Sequence, residues 1–309
     1  MSLSAMEAAF EGFRITSARP VSVLIWTIGF FISAVLCTLA MEALAGDAMR
    51  NYLAVVEGGG QPTPDQVVAF FGAMGPAYLA LIAISLPIQA VLINGVMRAS
   101  VAETGDRLGY LRLGGRELAQ MGNLFLWALI LFFTYIAAAL VSLIPAFIVG
   151  LVGGFISPVL GSALGALAVV AFIFVALLLV SARLSLAGPI TALEGGIGLS
   201  RSWTATKGLS WKLAGALFVA SVFALIVVIL VGLIALGVLS AMTGGLTQAW
   251  AFVSTAGTAG PLLITPTGVV YMAFSALING LTTVIGFGVG ADAWRQLRGG
   301  RTSVPETFA

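Results

Sequence analysis

The side chains most able to do chemistry in this chain are cations and indoles at the ends of long apolar segments. They are Arg98, Arg183, Arg201, Trp203, Lys207, Trp211 and Lys212. Cationic groups beside tryptophan rings at a membrane surface can bind the phosphates of anionic lipid headgroups. The set therefore predicts a headgroup-binding surface. A second interpretation stays open, in which Arg98 and Arg183 extend their charges to interfacial water and the later cluster is only a positive-inside anchor.

Two acidic residues fall on the same side of the apolar segments as these cations and have mainly a structural interpretation. Glu194 and Asp292 would form ion pairs with Arg183, Arg201 or Arg295 and so lock loops together. A role in proton coupling is the alternative, but it requires a carboxylate buried within a span. The sequence favours the ion pairs.

Other polar residues lie within or at the ends of the apolar segments. Asn94 and Asn279 stand in a repeated Leu-Ile-Asn-Gly sequence, which predicts hydrogen bonds between helices, with a substrate contact as the alternative. Glu42, at the outer end of the first segment, is a weaker candidate for proton coupling.

The composition argues against a catalytic centre. Histidine is absent and Cys37 is the only cysteine, which removes the commonest general base and the usual ligands of a structural zinc site. No nucleophile beside a base and no carboxylate cluster stands out in the apolar segments, so we expect no catalytic residue, metal site or cofactor. An intramembrane enzyme is the least favoured hypothesis. The basic residues are dispersed along membrane edges, so no nucleic-acid partner is expected.

Charge-free intervals indicate where the chain crosses the membrane. Hydrophobic residues make up 60% of the 309 positions and charged residues 8%, whereas soluble domains carry about 25% charged residues. A charge at the bilayer centre is costly, so intervals without one mark the spans. We predict a single transmembrane domain over 1–309, with spans near 21–43, 76–97, 122–150, 162–182, 213–239 and 267–291. Gly75-Pro76, Gly153 to Pro158 and Gly244 to Pro266 should supply breaks and turns.

The basic residues predict the orientation. Of the 14 lysines and arginines, 13 fall on one side of the six spans and only Arg50 on the other. The positive-inside rule then places both termini in the cytoplasm of a bacterial inner membrane, with a cytoplasmic tail at 292–309. Cleavage of a signal peptide near Ala43 to Gly46 is an alternative, but the preceding apolar run is longer than a typical signal sequence.

A weak repeat suggests three similar units. Residues near Gly95, Gly115 and Gly122 recur 93 positions later, and Leu92 to Gly95 returns 185 positions later as Leu277 to Gly280. Aromatic and basic residues precede each odd span, around residues 1–18, Tyr110 to Arg116 and Trp203 to Lys212. The first of these segments has Ser4 and Glu7 as a capping box, and its apolar residues are spaced to share one face: Leu3, Met6, Phe10 and Phe13. The predicted fold is an all-α, polytopic membrane helix bundle with six transmembrane helices, three cytoplasmic interfacial helices and a threefold internal repeat.

One loop carries the most specific pattern in the chain. Arg183 to Pro189 leads to Glu194-Gly195, then to Leu199 to Trp203, Lys207-Gly208 and Trp211-Lys212. This loop resembles that of the bacterial glycerophosphoryl diester phosphodiesterase membrane-domain family. The resemblance implies membrane embedding only, because the catalytic enzymes of that name use histidines and a soluble barrel, which this chain lacks.

The leading functional hypothesis is a noncatalytic inner-membrane protein that binds lipids or supports the envelope. The alternative is a small-molecule or lipid transporter or channel subunit, motivated by the repeat and the broken spans. Membrane lipids are the expected partners. A homo-oligomer or a partner membrane protein could bind through glycine-rich helix faces, such as Gly150/Gly154, Gly161/Gly165 and Gly286/Gly290.

Overall fold

The computed structural model describes residues 4–102, 106, 108–256 and 265–298, and the regular elements in these ranges are all helices. The helices are α1 (Ala5–Ala18), α2 (Pro20–Glu57), α3 (Pro64–Val101), α4 (Gly115–Gly154), α5 (Pro158–Leu184), α6 (Ala187–Glu194), α7 (Leu199–Ala205), α8 (Ser210–Thr243), α9 (Leu246–Ala256) and α10 (Pro266–Leu297).

Six of these helices are long and apolar enough to cross a membrane. They are α2, α3, α4, α5 together with α6, α8 and α10. Each contains one span predicted from the sequence, and the all-α membrane bundle is confirmed. Most extend well past the predicted limits. At 1.5 Å per residue the 40-residue α4 is about 60 Å long, roughly twice the hydrocarbon thickness.

Three spanning helices begin with the same two-residue signal, a hydroxyl residue followed by proline. Thr63-Pro64, Ser157-Pro158 and Thr265-Pro266 begin α3, α5 and α10, and each hydroxyl accepts a hydrogen bond from a backbone N–H in the first turn. Proline suits the first turn because its missing N–H has no helical partner there. The second, fourth and sixth spans therefore share their start, as the predicted threefold construction requires; the repeat itself stays a prediction.

Two sequence predictions about the connections are wrong. Gly75-Pro76 does not divide the second span, because α3 continues through both Pro76 and Pro87. Neighbouring helices can compensate for the hydrogen bonds that proline removes inside a membrane. The second interfacial helix is also absent: residues 108–114 form a turn and extended chain before α4. Tyr110 adopts a positive φ of 63° there, which is uncommon for an aromatic residue and incompatible with an α-helix.

The connection between α8 and α10 contains a further helix. The sequence predicts only a reversal between Gly244 and Pro266, but α9 occupies Leu246–Ala256, and 257–264 lie outside the described residues. Leu246 and Trp250 are strongly exposed and four residues apart, so they share one face. This apolar face is typical of a helix lying in a membrane interface.

The amino-terminal helix α1 packs on the bundle through its small residues. Half of the predicted capping box is formed, because the Ser4 hydroxyl accepts from the Glu7 N–H, whereas the Ser4 N–H donates to Gln296 of α10 instead of Glu7. Its buried residues include Ala8, Ala9 and Gly12. A Cβ added to Gly12 would lie 2.8 Å from the carbonyl oxygen of Val284 in α10, so only glycine permits this approach.

The predicted apolar face of α1 points partly away from the bundle. Met6 is 61% exposed and Phe10 39% exposed, although the Phe10 ring also contacts Phe223 of α8, with centroids 5.0 Å apart. Leu3, also predicted on this face, lies outside the described residues. The helix thus packs on the bundle through one face and leaves apolar side chains on another, as expected for an interfacial helix.

The glycine pairs of α4 and α5 pack against each other within the chain. A Cβ on Gly150 would lie 3.3 Å from the carbonyl oxygen of Gly161, and one on Gly161 would lie 2.8 Å from the amide nitrogen of Gly154. Small residues allow two spanning helices to approach this closely. These faces are therefore occupied, whereas Gly286 of α10 meets nothing within 4 Å.

Candidate functional site

Most of the predicted headgroup-binding residues lie together at one end of the bundle, which we call the basic end. This end contains α1, α6, α7, the starts of α4 and α8, and the last turns of α3, α5 and α10. Side-chain contacts connect these parts directly: Ser4 bonds to Gln296, Arg116 to the carbonyl of Ala192, and Ser202 to the carbonyl of Arg183.

The short helix α7 is held against the end of α5 by two hydroxyl groups. Ser202 and Thr206 donate to the carbonyl oxygen of Arg183 at 2.8 and 3.2 Å. This carbonyl belongs to the last turn of α5, where helical partners are missing, so the two hydroxyls act as a cap. Both residues are fully buried. The connection between α5 and α8 is therefore a fixed part of the fold.

Arg183 lies over the ring of Trp203. The guanidinium carbon is 5.3 Å from the ring centroid, and Nη1 donates to the Trp203 carbonyl at 3.4 Å. Arg201 is occupied differently, because it donates to the Glu194 carboxylate at 2.9 Å and to the Gly195 carbonyl at 2.5 Å. Both arginines contribute positive charge at the basic end while they position the loop.

Glu194 connects three elements of the basic end. One carboxylate oxygen accepts from Trp294 Nε1 at 3.1 Å and from Arg298 at 2.5 Å, and the other accepts from Arg201. The predicted pairing with Arg201 is confirmed, and the links to α10 are additional. Glu194 therefore has the structural role that the sequence favours.

Lys207, Lys212, Trp203 and Trp211 form what we call the basic–aromatic surface. Both lysines are exposed, and neither has an ion-pair partner among the described residues. Trp203 is 49% exposed and Trp211 is 74% exposed. Two unpaired ammonium groups flanked by two accessible indoles can attract an anion and insert rings at the level of lipid headgroups.

Arg98 does not belong to this surface. It is buried, forms an ion pair with Glu117 and donates to the Tyr110 carbonyl at 3.1 Å. The expectation that it extends to interfacial water is wrong, because Glu117 in the first turn of α4 provides a buried counter-ion. Asn94 donates to the same carboxylate at 3.4 Å, which confirms its predicted interhelical hydrogen bond.

Asn279 behaves differently from Asn94. It is exposed, and its side-chain amide donates to the Ser275 carbonyl of its own helix at 2.8 Å. The interhelical bond predicted for it is not formed. At the end of the bundle opposite the basic end, Glu42 forms an ion pair with Arg50.

A second buried ion cluster joins α1 to α10. Arg295 lies between two buried carboxylates: it is 3.4 Å from Glu11 and paired with Asp292, as predicted for Asp292. The pKa of Glu11 is raised above its ordinary value, mainly because burial disfavours the charged carboxylate. The positive charges of Arg295 and Arg14 offset part of this increase in pKa, and the negative charge of Asp292 adds to it. Arg295 also donates to the Ser100 carbonyl at 3.1 Å, so the cluster holds α1, α3 and α10 together.

Sequence analysis missed the polar side chains in the first half of α4. Gln120 and Asn123 are buried, and with Glu117 they follow a spacing of three residues. This spacing places all three on one side of the helix. Their helical periodicity in an otherwise apolar segment is the signal that could have identified them.

These features define the chain as a multi-pass integral membrane protein with a positively charged, aromatic surface at one end. Comparison with protein-family models, curated proteins and solved structures gives no match. The family resemblance of the loop between α5 and α8 therefore stays a prediction.

Proposed function

We propose that this is a noncatalytic membrane protein that binds anionic phospholipid headgroups at its basic–aromatic surface. The observation that carries the proposal is the pair of exposed lysines that have no ion-pair partner within the described part of the chain, each with an exposed tryptophan close in sequence. Other cations at this end are engaged: Arg201 and Arg298 share Glu194, and Arg295 is held by Glu11 and Asp292. The surface thus offers charge that the protein itself does not neutralise.

The fixed attachment of α7 supports this function. Because Ser202 and Thr206 hold the loop against α5, the two lysines and two indoles are positioned without a partner. A surface that is already ordered loses less conformational entropy when a lipid binds. Juxtamembrane cations contribute about 1 kcal/mol each to the attraction of anionic lipid.

Replacing both Lys207 and Lys212 with alanine should weaken the preference for anionic lipid about tenfold or more, since two such contributions are lost. The protein is reconstituted with mixtures of brominated phosphatidylglycerol and ordinary phosphatidylcholine, and tryptophan quenching gives the relative affinity. Arg50→Ala, which removes a cation at the opposite end, serves as control and should retain the wild-type preference. Equal lipid preference in the double variant and the wild type would contradict the proposal.

The proposal includes an orientation, with the basic end in the cytoplasm of a bacterial inner membrane. In a Cys37→Ser background, Ser254→Cys in α9 should react with a membrane-impermeant maleimide in intact spheroplasts. Lys207→Cys should react only after permeabilisation, because the positive-inside rule predicts that its loop lies in the cytoplasm, where the reagent cannot reach it. The reverse labelling pattern would exclude this orientation.

A further inference from the structure

A group of buried polar side chains between α3 and α4 is not explained by the lipid-binding surface. We call it the polar track, and it consists of buried Asn94, Arg98, Glu117, Gln120 and Asn123 together with half-buried Trp127, whose indole nitrogen is enclosed. Its α4 members extend from residue 117 to residue 127, which corresponds to about 15 Å along the helix axis. The track therefore starts at the basic end and continues into the bundle.

Several polar atoms of the track are buried without a hydrogen-bond partner among the described residues. They are Asn94 Oδ1, Arg98 Nε, Gln120 Oε1 and Nε2, Asn123 Oδ1 and Trp127 Nε1. Gln120 is fully buried, yet both ends of its amide lack a partner. Buried polar groups are nearly always hydrogen-bonded, to protein, water or ligand. Four of these six atoms belong to α4 and two to α3. An occupant that supplies the missing partners, either water or a ligand, would therefore lie between the two helices.

The chemistry of the track restricts this occupant. The positive charge of Arg98 is already matched by Glu117, so the track has no unpaired charge to hold an ion. Three of the six unpartnered atoms are acceptor oxygens and three are donor nitrogens. The oxygen and nitrogen of a side-chain amide can exchange places, so individual assignments can reverse, but both kinds of group remain. A ligand that satisfies them must itself carry donors and acceptors and no net charge.

The apolar neighbours of the track suit a small organic molecule. The Trp127 ring is 6.2 Å from that of Phe287 in α10, and Met97 and Met121 pack nearby. Methionine side chains adapt their shape to an occupant, and aromatic rings contact C–H groups well. Gly188 of α6 contacts the same neighbours, because a Cβ added there would lie 3.0 Å from Met97, 3.8 Å from Phe287 and 3.9 Å from Gln120 Nε2.

We propose that the polar track is a binding site for a small uncharged molecule that carries hydroxyl or amide groups. This inference goes beyond the headgroup surface and does not depend on it. An internal site of this chemistry is also what the alternative of a transporter or channel subunit requires.

The test is saturation-transfer NMR on the full-length protein in nanodiscs, with glycerol and urea as uncharged probes and acetate as a charged one. We expect signals from glycerol or urea above those of empty nanodiscs and none from acetate. Asn123→Leu removes two hydrogen-bonding groups and should weaken the apparent affinity about tenfold. Asn279→Leu, the same change at an exposed amide of α10, should leave it unchanged.

A competition experiment in the wild type avoids dependence on how the variants fold. If glycerol and urea share the track, excess glycerol should reduce the urea signal at constant viscosity. Absence of any probe signal, acetate signals as strong as those of glycerol, or equal affinities in Asn123→Leu and wild type would each overturn the proposal. Exchange of buried water with no bound probe would overturn it as well.

Discussion

Replacing Arg98 with alanine should destabilise the protein by about 3–5 kcal/mol, because it leaves the buried carboxylate of Glu117 without its charged partner. Asn94 would still donate to that carboxylate, but one amide cannot replace a guanidinium. The free-energy cost of the unpaired carboxylate stays high because the surroundings of a spanning helix have a low dielectric constant. The measurement is equilibrium unfolding in mixed micelles of increasing denaturing detergent.

A double replacement distinguishes the ion pair from simple packing. Arg98→Met combined with Glu117→Leu removes both charges while retaining much of the volume, and it should recover most of the lost stability. Arg50→Ala provides the matched control, because its ion pair with Glu42 is exposed and should contribute about 0–1 kcal/mol. An Arg98→Ala protein as stable as Arg50→Ala would show that the pair has little structural importance.

Gly12→Ala should displace α1 from the bundle. The added Cβ would lie within 3 Å of backbone atoms of Val284 and Ile285 in α10. The contact is equally close from the other side, because a Cβ added to Gly288 of α10 would lie 2.8 Å from the Gly12 amide nitrogen. Backbone atoms cannot move aside as a flexible side chain can, so the helices must separate. Overpacking of this kind typically costs about 1–3 kcal/mol, and here the loss is concentrated at one helix.

Hydrogen exchange of the α1 amides measures this displacement directly. Faster exchange should appear in 5–18 and little change in α4 or α5. Gly286→Ala in α10, the helix that Gly12 contacts, is the control, because its Cβ would meet nothing within 4 Å. Wild-type protection of α1 in the Gly12→Ala protein would contradict the close contact.

The spanning helices could be predicted from sequence because the cost of a charge in hydrocarbon acts on each segment by itself. Helix ends were less predictable, since α2 and α3 continue beyond the charge-free intervals and include Glu42, Asp47 and Asp65. The prediction of a break at Pro76 was wrong for a related reason. Proline weakens a helix locally, but packing between neighbouring spans decides whether the helix continues.

The candidate sites depended on tertiary contacts to different degrees. The basic–aromatic surface was identified from one local stretch of sequence, where charge and aromatic content can be read directly. The buried position of Arg98 could not be predicted in this way, because it depends on an ion pair with Glu117, which lies on the next spanning helix. Glu11 and Arg295 are 284 residues apart in the chain, and no local pattern connects them.

The contacts of α10 have a consequence for the order in which the protein can assemble during synthesis. The first helix docks through Gly12 and Glu11 on the last one, and Glu194 reaches Trp294 and Arg298 near its end. Neither contact can form until the final span has left the ribosome and entered the membrane. A nascent chain that stops before Pro266 would therefore carry an amino-terminal helix that packs mainly on α8, and an α6 without its contacts to α10, which quality-control proteases could recognise.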